Sequence, residues 1–339
     1  MLTNPFKYFT PVDYINLAPH GQSQNHERLK AKMNDFLKKL MISLENDGKR
    51  LDNIMFSIAK KTPKSLIYKL IRKGRIKVDG KKSTPSAKLQ TGDRIDFPTY
   101  LESKTRKILP SKKLIQLIND SVLYENDNIL LVNKPCGLGS HSGTGLNFGL
   151  IELARYTRNH ILKLDLVHRL DRDTSGCLLL SKDLITLREL HEIWSSKKVE
   201  KIYIAIFKGR IRENLRKIEV NLDIARGALG EKRAFAMGQK KTLTSILRKQ
   251  YIGNNTLVTL RLDTGRMHQI RAHARYIGHP LAGDEKYGDK DFNRTLKKEG
   301  LSRLFLHASR IKVDSKKLKI DVKAPLPTEL STVLSSFEQ

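Results

Sequence analysis

The sequence predicts an α+β protein in two folded parts, on three observations. Its 339 residues exceed what one ordinary domain needs. Its first third carries two amphipathic helical stripes followed by short strands and turn signals. From Leu123 to the end, strands alternate with a few helices, and no repeat of fixed period is apparent.

Taken in order, residues 1–45 are polar and irregular, with Asn-Pro, Thr-Pro and Ala-Pro steps. They read as an N-terminal extension without its own core, carrying a short helix from Glu27 to Leu44. A module spans 46–105. Leu51, Ile54, Met55, Ile58 and Ala59 recur at helical spacing. Thr62-Pro63 predicts an N-cap with proline at the first helical position, and Leu66, Ile67, Leu70 and Ile71 form the next apolar stripe. Gly74 ends that helix. Its outer face presents Lys69, Arg72 and Lys73. Strands are predicted at Ile76–Val78, before an Asp79-Gly80 turn, and at Arg94–Phe97. Residues 98–113 read as a basic linker, and a second domain spans 114–335. Within it, strands are predicted at 128–133, 177–180, 203–207, 246–251, 256–262 and 311–313, and an amphipathic helix at 184–197.

The charge balance narrows the partner. Lys plus Arg number 64 against 35 Asp plus Glu, a net +29. Nucleic acid is the first partner such a balance suggests, and an anionic membrane the second. No apolar run approaches the roughly 18–20 residues of a membrane span, and no basic amphipathic anchor stands out. The two cysteines, Cys136 and Cys177, form neither a metal pattern nor a disulfide framework, which fits a reducing compartment. The N-terminus lacks a secretory pattern. The expectation is a cytoplasmic monomer without membrane contact.

The densest chemistry lies in His168-Arg169-Leu170-Asp171-Arg172-Asp173-Thr174-Ser175-Gly176. A carboxylate among cations stays ionised and can act as nucleophile or base. Arginines that hold it also suit phosphate. Asp173 is expected to cap the turn through a backbone bond. Other constellations are weaker. Gly137 to Gly145 fails both the dinucleotide and the triphosphate spacing and reads as a flexible turn. His268, His273 and His279 lack the carboxylate or thiolate spacing of a metal site, and they read as structural or RNA-contacting. A kinase loop would put Asp directly after Arg, whereas Leu170 intervenes.

The 46–105 module resembles the S-four RNA-binding domain in its 63–68 start, 71–78 exit and 88–93 return. The signature run also has companions: Asn133-Lys134-Pro135-x-Gly137, Lys201-Ile202-Tyr203, Thr264-Gly265-Arg266-Met267-His268-Gln269-Ile270-Arg271, Gly278 to Gly288, and Leu306-His307-Ala308. Together these resemble the RluA family of pseudouridine synthases over about 45–330. Met267 departs from that pattern, standing where the family usually has a small residue. The S-four module leans the resemblance toward the RluC-type branch, which acts on large-subunit ribosomal RNA. The alternatives are a transfer-RNA enzyme of the same family and a non-catalytic RNA-binding assembly factor.

The resemblance implies a mainly antiparallel mixed sheet. It implies Asp171 as the catalytic carboxylate, Tyr203 as the residue stacking on the base, and Arg271 as the partner of Asp171. Arg169 would displace a flipped uridine. His168, Arg266 and His268 would contact RNA beside it, with Lys69, Arg72 and Lys73 contacting RNA from the first module. The isomerisation needs no redox step or energy input, so neither cofactor nor metal is implied. Each assignment competes with a plainer one: an Asp beside Arg is more often a structural ion pair, and a strand Tyr more often core.

Overall fold

A computed structural model describes residues 37–60, 62–101, 109–143, 147–196, 198–226, 232–315 and 318–337. The chain divides after residue 108 into two units.

In the first unit, strand β1 (Leu37–Met41) precedes helices α1 (Leu51–Ile58) and α2 (Lys64–Arg72), then β2 (Lys77–Val78), β3 (Lys81–Lys82) and β4 (Arg94–Pro98). The sheet order is β1-β4-β2-β3. The expected stripes face inward: Leu51, Ile54 and Met55 of α1 and Ile67, Leu70 and Ile71 of α2 pack with Ile76, Leu89, Ile95 and Phe97. Helix α2 starts after Pro63 rather than at it, because Pro63 has the extended backbone of a cap. Gly74, at φ 66°, closes the helix, and Asp79-Gly80 turns with both residues left-handed. Lys69, Arg72 and Lys73 are exposed.

The helix expected over 27–44 is corrected where it falls on described residues. Residues 37–41 instead pair antiparallel with β4, Leu37 opposite Pro98 through Met41 opposite Arg94. Leu40 and Ile42 then pack into the first unit's core, so the last residues of the supposed extension belong to it. Pairing to an open edge outweighs local helix propensity here. Residues 27–36 lie outside the described ones.

The second unit contains α3 (Lys112–Asp120), β5 (Val122–Glu125), β6 (Ile129–Lys134), α4 (Leu150–Thr157), β7 (Asp165–Leu166), β8 (Ser175–Ser181) and α5 (Leu184–Ser195). There follow β9 (Val199–Phe207), β10 (Lys217–Arg226), β11 (Lys232–Ala236), β12 (Lys240–Ile252) and β13 (Asn255–Leu262). Helices α6 (Gln269–Tyr276) and α7 (Lys290–Lys298), strands β14 (Leu306–Asp314) and β15 (Lys319–Lys323), and α8 (Thr328–Ser336) complete it.

One sheet of 11 strands organises these elements, in the order β11-β10-β12-β13-β9-β14-β8-β6-β5, with β15 beside β14 and β7 beside β8. Its described pairings are antiparallel except β14 with β8, where His307 lies opposite Ser175. The sheet is therefore mixed and mainly antiparallel.

Its two faces are both covered. Leu130, Val132, Leu178 and Leu180 face a core shared with α3, α4 and α6. Ile129, Leu131, Cys177 and Leu179 face a second core with Leu190 and Ile193 of α5. This is why β8 reads as a continuous apolar run: every residue in it is buried. Strand β10 lies outside the sequence expectation. Ile218, Val220 and Leu222 are buried in alternation with exposed Lys217, Glu219 and Asn221, a half-buried pattern hidden among polar residues.

Gly176 marks the parallel crossover. Its φ is 115°, and a Cβ there would meet the Ala308 carbonyl oxygen at 2.2 Å. Only glycine lets β8 and β14 approach so closely.

Candidate active site

The signature run forms the loop entering β8. The Thr174 N–H donates to the Asp171 carbonyl at 3.2 Å, closing a turn that leaves the Asp171 side chain 28% exposed. The Asp173 carboxylate pairs with Arg172 at 3.4 Å instead of capping the turn as expected.

The loop is held from behind. Lys134 is fully buried, and its ammonium donates to the carbonyls of Pro135, Leu138 and Arg172 at 2.9, 2.7 and 3.1 Å. The Gly137 N–H also donates to the Arg172 carbonyl, at 2.9 Å. Ser140 Oγ donates to the Leu170 carbonyl at 2.8 Å and accepts from the Leu170 N–H at 3.1 Å. The turn starting at Gly137 is therefore structural, because its first residues brace the Asp171 loop. Burial pulls the Lys134 ammonium down to about 7, with the nearby Arg303 charge adding and Cys136, Asp171 and Asp173 opposing.

At the loop's far end, Ser175 Oγ accepts from Arg303 Nη2 at 2.7 Å and lies 2.9 Å from His307 Nδ1. His307 Nε2 contacts the Ala324 carbonyl at 3.2 Å. With Nε2–H donating to that carbonyl, Nδ1 is left to accept the Ser175 hydroxyl proton. Burial holds His307 down at about 4, so it is neutral at neutral pH.

Strand β9 contributes Tyr203, opposite Leu260 on one side and Ala308 on the other. The residue is 7% exposed. Burial, then the Asp171 and Cys177 charges, push its phenol well above the usual range. It stays protonated and able to donate.

Helix α6 and the turn before it supply the groups that face the Asp171 loop. The buried Gln269 side chain ties the approach to the helix: Nε2 donates to the Leu243 carbonyl and Thr244 Oγ1, and Oε1 accepts from Thr264 Oγ1 and the Arg266 N–H. This leaves His268 at φ 54°, a left-handed backbone that costs a non-glycine residue about 1 kcal/mol. His268 Nε2 lies 3.9 Å from Asp171 Oδ2.

Arg271 departs from the expected pairing with Asp171. Its Nε and Nη2 donate to both oxygens of Asp284 at 2.8 and 2.7 Å, with both residues buried. The Asp284 carboxylate also accepts the N–H groups of Lys286 and Tyr287, which fixes it as the fork's acceptor. Burial works against the Arg271 charge. The Asp284 bonds and field, with Asp171 and Asp173 adding, nevertheless keep its pKa above its ordinary value. Arg271 therefore acts on Asp171 through space.

His168 also has partners within the second unit. Its Nε2 accepts the Leu179 N–H at 3.1 Å, and its ring stacks on Trp194 at 4.9 Å. Burial, then Lys201, pulls it down to about 3. It is half-buried, and its ring nitrogen and face are engaged by the scaffold. Arg169 and Arg266 are exposed.

Among the described residues, no three His, Cys, Asp or Glu side chains group as metal ligands. His273 meets Thr242 Oγ1 and His279 meets the Lys208 carbonyl, so the three clustered histidines do not converge. No described helix is long and apolar enough to cross a membrane. Lys134 and Asp284 are visible in the sequence as members of dense motifs, but nothing local marks their partners. Ser140 and Arg303 carry no sequence signal.

A deep mixed sheet and a carboxylate loop backed by buried cations define a class that comparison makes specific. Residues 128–276 match the family model for RNA pseudouridylate synthase, and 49–95 match the S4 domain. Ribosomal large subunit pseudouridine synthase C of Haemophilus influenzae is 41% identical, over 84% of this chain and 89% of its own length. The protein of that name in Escherichia coli is 38% identical, over 81% and 88%. The solved structure of human RNA pseudouridylate synthase domain containing 4 superposes with a TM-score of 0.55 at 22% identity, covering 67% of this chain and 96% of that one, a likeness of fold. The chain belongs to the RNA pseudouridylate synthase family. It is an isomerase of RNA uridine, with an S4 domain for RNA binding.

Proposed function

We propose that this enzyme converts specific uridines of large-subunit ribosomal RNA to pseudouridine, with Asp171 as the catalytic group on a flipped-out nucleotide. The observation that carries the reading is the Asp171 carboxylate: part-exposed, on a loop pinned by Lys134, in the field of buried Arg271 and beside Tyr203. Names of relatives that cover most of the chain support the ribosomal substrate.

The chemistry follows from the residue types. The N1–C1′ bond breaks, the uracil turns, C5 joins C1′, N1 gains a proton and C5 loses one. Asp171 serves as nucleophile or base. Tyr203 stacks on the uracil and offers its phenol proton. Extruding the base costs roughly a few kcal/mol, and exposed Arg169 fills the vacated space. The first unit adds phosphate contacts through Lys69, Arg72 and Lys73. The enzyme works as a cytoplasmic monomer.

The test is release of tritium from RNA labelled at uridine C5. Wild type releases it from large-subunit RNA, and Asp171→Asn lowers the rate about 100- to 10,000-fold. No release by wild type from that RNA, with release from transfer RNA, overturns the substrate. Equal release by Asp171→Asn overturns the role of the carboxylate.

A further inference from the structure

Arg271 grips Asp284 through Nε and Nη2 and makes no ion pair with Asp171 in this structure. Among the described residues, the basic nitrogen within 4 Å of the Asp171 carboxylate is Nε2 of His268, at 3.9 Å. Whether that nitrogen carries a proton is decided on the other side of the ring. His268 Nδ1 lies 2.9 Å from the Tyr287 hydroxyl. That hydroxyl already accepts the Ala234 N–H at 2.7 Å. Its own proton needs an acceptor, and among the described residues Nδ1 is the one in reach. With Nδ1 accepting, a neutral imidazole carries its proton on Nε2, toward the carboxylate. The opposite tautomer would leave the phenol proton unused and set a lone pair against an anion.

The surroundings hold the relay still. The Tyr287 ring lies edge-on to His268 at 5.5 Å and under the Arg271 guanidinium at 5.2 Å. The Asp284 carboxylate that grips Arg271 also accepts the Tyr287 N–H. The left-handed backbone of His268 is an uncommon conformation that its surroundings impose, and such outliers gather at functional sites.

We propose that His268 is the positioning residue for Asp171: the chain Ala234 N–H, Tyr287 hydroxyl, His268 imidazole delivers an Nε2–H that fixes the carboxylate for reaction. The proposal rests on Asp171 being the catalytic group. The contact shortens to a hydrogen bond when RNA is bound, as catalytic contacts often do.

The test exploits two different amides. Gln places its amide nitrogen where Nε2 stands, whereas Asn reaches only the Nδ1 position but tolerates a left-handed backbone better. Tritium-release kinetics on His268→Gln, His268→Asn and His268→Ala should show kcat falling about 100-fold in Asn and Ala. Gln should stay within about tenfold of wild type. Asn equal to or better than Gln overturns the proposal, because the backbone alone would then explain His268. Wild-type kcat in Ala overturns it too. Tyr287→Phe keeps the ring and removes the hydroxyl, so the proposal stays testable if changes at His268 disturb folding; kcat should fall about tenfold, and an unchanged value counts against the relay. Asp171→Asn run in parallel separates the two readings: if it stays active, the assignment of Asp171 fails whatever the His268 series shows.

Discussion

Replacing Lys134 with methionine removes the charge that braces the catalytic loop while keeping an unbranched chain in its slot. Two effects oppose each other. Three carbonyls lose charge-assisted bonds worth about 1.5 kcal/mol or more apiece. Against that, the fold no longer buries an ammonium. The Lys134 value falls from 10.5 to about 7 on folding. Between those values the unfolded chain binds a proton that the folded chain does not. Stability therefore rises with pH by about 1.4 kcal/mol per unit across the window, about 5 kcal/mol in all, and is constant below about 7. In Lys134→Met this contribution vanishes. Near pH 7 the variant's stability is close to that of wild type, and by pH 9 wild type is ahead by about 3 kcal/mol. Urea unfolding followed by Trp194 emission reads this directly, because Trp194 is the sole tryptophan and stacks on His168 at the loop's start. Cys136 feels the Lys134 charge, so both proteins carry Cys136→Ser; the other titrating groups are common to both and cancel in the difference. Parallel curves for the two proteins from pH 7 to 9 would refute the reasoning, since Lys134 would then be charged in the fold without penalty. Turnover should fall in the variant at every pH, because the Arg172 carbonyl loses its anchor beside Asp171.

Asp284→Ala strands the buried Arg271 charge and should cost about 3–5 kcal/mol in the same urea assay; a loss below 1 kcal/mol would mean that water reaches the guanidinium. Changing Lys69, Arg72 and Lys73 together to alanine should weaken RNA binding and lower the slope of log Kd against log salt by about one for each phosphate no longer neutralised. An unchanged slope would move the phosphate-binding surface off that helix. The fold of the first unit should survive, because all three side chains are exposed.

Much of the fold is legible where one local pattern has one physical solution. The stripes of α1 and α2, the Gly74 stop and the Asp79-Gly80 turn depend on near neighbours and appear where expected. Strand β8 is legible because a strand covered on both faces is apolar throughout. β1 defeats a local reading because its structure comes from an edge 53 or more residues away, Met41 pairing with Arg94. β10 differs: Ile218, Val220 and Leu222 alternate with Lys217, Glu219 and Asn221, a local strand signal that the sequence does contain.

In the site, the sequence by itself determined the inventory: a carboxylate among arginines, a strand tyrosine two residues after Lys201, and an arginine and a histidine on one helix start. Those residue types and their order sufficed to suggest uridine chemistry on RNA. Tertiary structure alone decided who pairs with whom. It gave Arg271 to Asp284, gave His168 to the Leu179 amide, buried Lys134 under the Arg172 carbonyl, and left His268 facing Asp171. The reason is physical. A charge's partner depends on distance and on the surrounding dielectric, and both are set by residues remote in the chain. The nine residues from His168 to Gly176 name the chemistry, and the folded sheet decides what each of them does in it.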